Sequence, residues 1–177
     1  MSVLMLAHPA TWANPLALLE QEGVHAMMRH ATAPGFGDPD GFKLGDCSTQ
    51  RNLSEAGLME AQQWGNTFKQ HNIRFTGVYS SQWCRCLHTA RSMDVGEVRE
   101  LPALNSFFEN RANENTHTRA ALAFLNGLKA TDKVLLVTHQ VNITALTGIF
   151  PAPGEVILFK IRPDAGLEVL GRIKPQP

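Results

Sequence analysis

Lys133-Val134-Leu135-Leu136-Val137-Thr138-His139-Gln140 carries the plainest structural signal in the chain. Its short run of valine and leucine reads as a strand buried on both faces, closed by a polar pair. A similar run over residues 24–28 ends in Met28-Arg29-His30-Ala31, and residues 77–81 read as a third short strand ending in Ser80-Ser81-Gln82-Trp83-Cys84-Arg85. Three predicted strands thus each end in a residue able to do chemistry: His30 beside Arg29, Arg85, and His139.

Helical patterns separate these strands. Asn14-Pro15 resembles an N-cap followed by proline at the first helical position, with Gly23 as the stop. Ser54 caps a predicted helix running to about His71, with Leu58, Ala61, Trp64 and Phe68 on one face. Residues 84–93, 118–128 and 142–147 read as further helices; Ala121, Leu125 and Leu128 share one stripe of the second. Residues 98–101 read as a strand, and 156–161 with 167–173 as a terminal strand pair. Residues 31–52 are rich in Gly, Pro, Asp and Thr and read as one long loop, a length at which loops tend to be functional or disordered. The alternation predicts a three-layer α/β/α sandwich around a mostly parallel sheet. Ligands of such sheets bind beyond the carboxyl ends of the strands, where Arg29-His30, Ser80 onward and His139 all fall.

The chain has 177 residues, with 16 Lys plus Arg against 16 Asp plus Glu. That length fits a single domain, 1–177, with a core that needs no metal or disulfide staple. Balanced charge leaves no global basic field for nucleic acid, so an anion site must be a local concentration of cations. No stretch reaches the length of a membrane span, so no membrane insertion is expected. Residues 1–13 read either as a tail or as a partial signal segment. Thr11-Trp12-Ala13 resembles a small-residue cleavage site, but the positive flank and long apolar core of a secretory signal are missing. The expected compartment is cytoplasmic for the chain as it stands, and periplasmic if that segment is a truncated signal peptide.

An imidazole nucleophile, cations to neutralise oxygens and additional donors are what phosphoryl chemistry requires. The blocks that carry these groups resemble the histidine phosphatase superfamily, in its small phosphatase branch with a phosphoglycerate mutase-like fold. Arg29-His30-Ala31 is similar to the family's Arg-His-Gly signature, and Leu53-Ser54-Glu55-Ala56-Gly57 to its Leu-(Ser/Thr)-x-x-Gly helix start. Ser80-Ser81 with Arg85-Cys86-Leu87-His88-Thr89-Ala90 resembles its arginine segment, and His139 in Val137-Thr138-His139 its second histidine. The resemblance spans nearly all of residues 24–148.

It implies a metal-independent, cofactor-free phosphatase that hydrolyses a phosphomonoester through a covalent phosphohistidine on His30. Arg29 and Arg85 would clamp the phosphoryl oxygens, with backbone N–H groups from helices beginning after Ser81 and His139. His139 would donate a hydrogen bond to the same oxygens. The implied partners are a phosphorylated small molecule or phosphoprotein as substrate and inorganic phosphate as product. A protein phosphohistidine phosphatase and a non-catalytic phosphate-binding module are the alternatives; the intact quartet of Arg29, His30, Arg85 and His139 counts against the module.

Other residues carry two readings each. Arg51 either reaches the phosphate or is a solvated loop arginine. The carboxyl that mutase-like members use as proton donor is replaced by Ser106 in Leu104-Asn105-Ser106. Glu109, beside Phe107 and Phe108, is therefore the candidate donor, with an ordinary loop glutamate as the other reading and Asp38 and Asp46 as substitutes. His25, His71, His88 and His117 are expected to pack or face solvent, and His8 carries no signal. Cys47, Cys84 and Cys86 read as small packed residues, although a bridge from Cys47 to either of the others would leave one thiol over. The spacing of Cys84, Cys86 and His88 does not suit zinc.

Overall fold

The computed structural model describes residues 15–163 and 165–175. The segment 1–13, the expected Asn14 cap and His8 lie outside the described residues. A six-stranded sheet organises the rest. Its strands are β1 (Val24–Arg29), β2 (Gly77–Ser80), β3 (Val98–Glu100), β4 (Val134–Thr138), β5 (Val156–Arg162) and β6 (Gly166–Ile173), in the spatial order β3-β2-β4-β1-β5-β6. The first four are mutually parallel, and β5 and β6 add an antiparallel edge. Four α-helices accompany it: α1 (Glu55–Gln70), α2 (Cys84–Met93), α3 (Glu114–Asn126) and α4 (Gln140–Thr147).

Alternation along the buried strands builds two cores, because successive strand side chains point to opposite faces. Ala26, Met28, Leu135 and Val137 pack with Ala61, Trp64 and Phe68 of α1 and Cys86, Ala90 and Met93 of α2. Met27, Leu136 and Val134 pack on the other side with Leu125 of α3 and Ile143 of α4. The arrangement is the expected α/β/α sandwich with a mostly parallel sheet. Ser54 caps α1 as predicted, its hydroxyl accepting from the Gly57 N–H at 3.1 Å. Gly57 has a second role: a Cβ there would strike the Thr32 carbonyl, so only glycine lets α1 lie against the start of the long loop.

Several expectations need correction. The first segment is a 3-10 helix, Pro15–Glu20. Its buried residues Leu16 and Leu19 are three apart, a spacing that eclipses on three residues per turn. Helix α3 begins at Glu114 rather than at residue 118 because its first residues are polar and carry no apolar stripe to read. Leu58 is exposed in the first turn of α1, beyond the reach of the sheet. Leu128 lies past the end of α3 but still packs against the second core.

The cysteines are corrected most. Cys47 and Cys84 form a disulfide, and only Cys86 is a free, buried thiol. The bridge ties the loop after β1 to the first residue of α2, where the Cys84 N–H also donates to Gln50 Oε1 at 2.9 Å. It closes a chain segment with a sequence separation of 37, so removing it restores considerable freedom to the unfolded chain. Cys47→Ser should lower unfolding free energy by about 2–4 kcal/mol. Guanidinium denaturation under non-reducing conditions checks this; an unchanged midpoint would remove the bridge from the stabilising interactions.

Candidate active site

Parallel pairing determines where the chemistry gathers. The β1–β4 and β2–β4 ladders continue one step past the strand ends: the His30 N–H donates to the Thr138 carbonyl and the Ser81 N–H to the Val137 carbonyl, both at 2.9 Å. His30, Ser81 and His139 are therefore neighbours at the carboxyl edge, and the His30 and His139 rings lie edge to face with centroids 5.6 Å apart. A cavity of about 120 Å³ opens there, lined among others by Arg29, His30, Asp38, Arg51, Arg85, Ser106 and His139.

His30 is 3% exposed, and its Nδ1 lies 2.8 Å from the Ala31 carbonyl. A carbonyl only accepts, so Nδ1 carries the proton and Nε2 keeps a lone pair. Burial, followed by the Arg85 guanidinium and to a lesser degree those of Arg29 and Arg51, drives its pKa down to about 3. His30 is thus neutral and in the tautomer of a nucleophile throughout the neutral range.

His139 is equally buried, and desolvation followed by Arg85 and His30 holds it well below the ordinary imidazole value. Arg85 Nη2 lies 3.5 Å from its Nδ1 and Ser81 Oγ 2.8 Å from its Nε2. A guanidinium only donates, which leaves the His139 proton on Nε2, facing Ser81. The expected donation from His139 to a phosphoryl oxygen therefore requires Nδ1 to gain a proton. Ser81 Oγ can reverse the polarity, since it is both donor and acceptor; it also contacts Asn105 Oδ1 at 3.3 Å and receives the Trp83 N–H. Cys86 packs against this ring, Sγ 3.5 Å from Nε2, and its burial pushes the thiol up to about 12, so it acts as a packed thiol. Ser81 and Cys86 stand in the arginine block and Asn105 in the donor stretch, but no spacing in the sequence joins them to His139.

Of the arginines, Arg85 is 3% exposed and enters the pocket from the first turn of α2. Arg29 donates from Nη1 to the Pro151 carbonyl at 3.0 Å. The Nε atoms of both are buried without a hydrogen-bond partner. Arg51 does line the pocket, and it also ties the loop down through the Gly37 and Ala33 carbonyls at 2.8 and 2.6 Å. The backbone donors expected at the start of α2 are occupied by side chains: Gln82 N–H by Asn105, Trp83 N–H by Ser81 and Cys84 N–H by Gln50. The first residues of α4, Gln140 and Val141, do line the pocket.

The carboxyl candidates separate cleanly. Glu109 is exposed and outside the pocket lining; its Oε1 accepts a long 3.4 Å bond from the Asp38 N–H. Asp46 is exposed and caps the short 3-10 helix Cys47–Thr49. Asp38 alone of the three enters the pocket. Its Oδ1 meets Arg85 Nη1 at 2.5 Å and its Oδ2 accepts from Trp83 Nε1 at 2.9 Å, so both oxygens face N–H donors. His25 is buried against Phe159 and accepts the Val134 N–H, and neither it nor His71, His88 or His117 lines the pocket. Among the described residues no cluster of His, Cys, Asp or Glu is disposed to hold a metal ion, and no helix is long and apolar enough to cross a membrane.

The buried histidines His25, His30 and His139, all with pKa lowered first by desolvation, have a consequence for stability. An unfolded imidazole titrates near ~6.5, while His30 in the folded chain titrates near about 3. Between those values the unfolded chain binds more protons, so this contribution to stability is complete above pH 6.5 and is lost as pH falls toward 3. His139 acts in the same direction. The melting temperature should drop from pH 6.5 to 4, and the drop should be shallower in His30→Asn. Parallel melting curves of the two proteins across that range would refute the burial argument.

No family model matches the sequence, and no curated protein matches it. Solved structures do. The protein histidine phosphatase SixA complexed with tungstate superimposes with a TM-score of 0.61 at 16% identity, covering 86% of this chain and 97% of its own. A phosphoserine phosphatase from Entamoeba histolytica in complex with 3-phosphoglyceric acid gives 0.59 at 15% identity, covering 86% and 98%. An open reading frame product of Mycobacterium tuberculosis gives 0.63 at 14% identity, covering 85% and 97%. The chain has the phosphoglycerate mutase-like fold of the histidine phosphatases.

Proposed function

We propose that the protein is a phosphatase that hydrolyses a phosphomonoester through a phosphohistidine on His30. The observation that carries the reading is the state of His30: buried, neutral, Nδ1–H held by a carbonyl and Nε2 free beside three guanidinium groups. Three arginines against the one carboxylate of Asp38 leave the pocket short of negative charge, and a dianionic phosphoryl group restores the balance. The fold neighbours named as a protein histidine phosphatase and a phosphoserine phosphatase support the same class. A module that only binds phosphate has no use for an imidazole so prepared.

In the proposed cycle the Nε2 lone pair of His30 attacks phosphorus and the ester oxygen departs with its bonding pair. Water then attacks the phosphohistidine, Nε2 recovers its lone pair and inorganic phosphate leaves. Splitting the transfer makes each step easier. Arg85 and Arg29 meet the phosphoryl oxygens, where preorganised donors act most strongly on charge that develops in the transition state. His139 keeps its Nε2–H on Ser81 and takes onto Nδ1 the proton of a singly protonated phosphate ester, so that the resulting imidazolium donates Nδ1–H back to the phosphoryl oxygen. Asp38 orients the Arg85 guanidinium. The Cys47–Cys84 bridge favours the periplasmic alternative, since disulfides persist in oxidising compartments. The second reading, a protein phosphohistidine phosphatase, is favoured because, among the described residues, the only carboxylate lining the pocket, Asp38, has both oxygens on N–H donors, and an N–P bond asks less of an acid.

His30→Ala should abolish turnover and keep the fold. Wild type treated with a phosphoryl donor should carry an acid-labile, base-stable label that this variant lacks; label retained in His30→Ala overturns the assignment. A second measurement tests the carboxyls. Glu109→Gln should leave the ratio of rates on alkyl and aryl phosphates unchanged, whereas Asp38→Asn should tighten vanadate inhibition about tenfold by removing a competing anion from Arg85. A Glu109→Gln defect confined to alkyl phosphates would return the proton-donor role to Glu109.

A further inference from the structure

The organic part of the substrate is read from the mouth of the pocket. The cavity of about 120 Å³ has room for a phosphoryl group and little more, so the rest of an ester must emerge at the rim. That rim is aromatic. Phe36, Phe108 and Phe150 all line it, from three separate connections of the chain. Phe36 is 85% and Phe150 70% exposed, an aromatic patch that the described residues leave largely open to solvent. Phe36 sits between Gly35 and Gly37, both with positive φ, and stands edge to face on Phe108 with centroids 5.0 Å apart. The Arg111 guanidinium lies 5.5 Å from the Phe108 ring centroid. Phe150 is held on a connection that Glu155 secures: its carboxylate takes the Ala152 N–H at 2.8 Å and Arg172 Nε at 2.7 Å. Phe36 is thus held against Phe108, and the connection that carries Phe150 is anchored.

An independent observation concerns the leaving group. Both oxygens of Asp38 face N–H donors, Glu109 is outside the pocket, and Ser106 brings only a hydroxyl to its lining. An alkoxide departs poorly without an acid, whereas a phenolate departs with its charge spread over a ring.

Resting on the phosphatase reading, we infer that the substrate is an aryl phosphomonoester whose ring is received by Phe36, Phe108 and Phe150. As the His30 Nε2–P bond forms, the P–O(aryl) bond breaks, the pair remains on the phenolate oxygen, and water later supplies its proton. Offset and edge-to-face contacts with the rim hold the ring while the arginines hold the phosphoryl group.

Steady-state kinetics on phenyl phosphate, butyl phosphate and phosphoramidate test this, the last being a phosphoryl donor without a ring. Wild type should prefer phenyl over butyl phosphate at least tenfold in kcat/KM. The double variant Phe36→Ala/Phe150→Ala should raise the ratio of KM for phenyl phosphate to KM for phosphoramidate roughly tenfold, the scale of losing two ring contacts. Phe36→Trp/Phe150→Trp should restore the ratio. Equal handling of phenyl and butyl phosphate, or an unchanged KM ratio in the alanine variant, overturns the inference while phosphoramidate labelling of His30 leaves the phosphatase reading standing. Failure of that labelling overturns both. Preference for 1-phosphoimidazole over phenyl phosphate overturns the ester in favour of an N–P substrate.

Discussion

The parallel registration of β1 and β2 on either side of β4 is the constraint on which the site depends. Two backbone hydrogen bonds beyond the strand ends, His30 to Thr138 and Ser81 to Val137, convert a shared sheet edge into a shared pocket. The strands themselves are buried on both faces by two separate cores, so their ends cannot drift. A shift of one residue in either ladder would turn the side chains of that strand to the opposite face and disperse the histidines.

Burial then determines the chemistry of what has been gathered. Desolvation is the foremost cause of the lowered pKa of His30 and of His139, and the arginines push in the same direction. The same low-dielectric setting that makes the imidazoles neutral makes the arginines costly, and the Nε atoms of Arg29 and Arg85 are buried without a hydrogen-bond partner among the described residues. Asp38 compensates part of that charge from the long loop. The loop is in turn folded onto itself by Arg51, through the Gly37 and Ala33 carbonyls, and tied to α2 by the disulfide.

The positions of the strands along the chain and the fold class were legible in the sequence because they follow from short apolar runs and alternation, which depend only on neighbouring residues, whereas the order of the strands in the sheet was not. Helix α2 was legible at both ends, and Ser54 announced α1 through its capping chemistry. The start of α3 was not, since its polar first turn resembles any solvated segment.

Four ordered blocks likewise brought Arg29, His30, Arg85 and His139 into view, and all four line one pocket. What only the tertiary structure decided lies in contacts between segments with no common periodicity. Asp38 reaches Arg85 across 47 residues, Cys47 reaches Cys84 across 37, and Ser81 reaches His139 across 58. Glu109 looked suited to the pocket because two phenylalanines flank it, yet its connection turns it outward and leaves Phe108 on the rim. Local pattern determines which face of an element is buried; which loop side chains enter a site is decided by how those elements pack, and that information is spread over the whole chain.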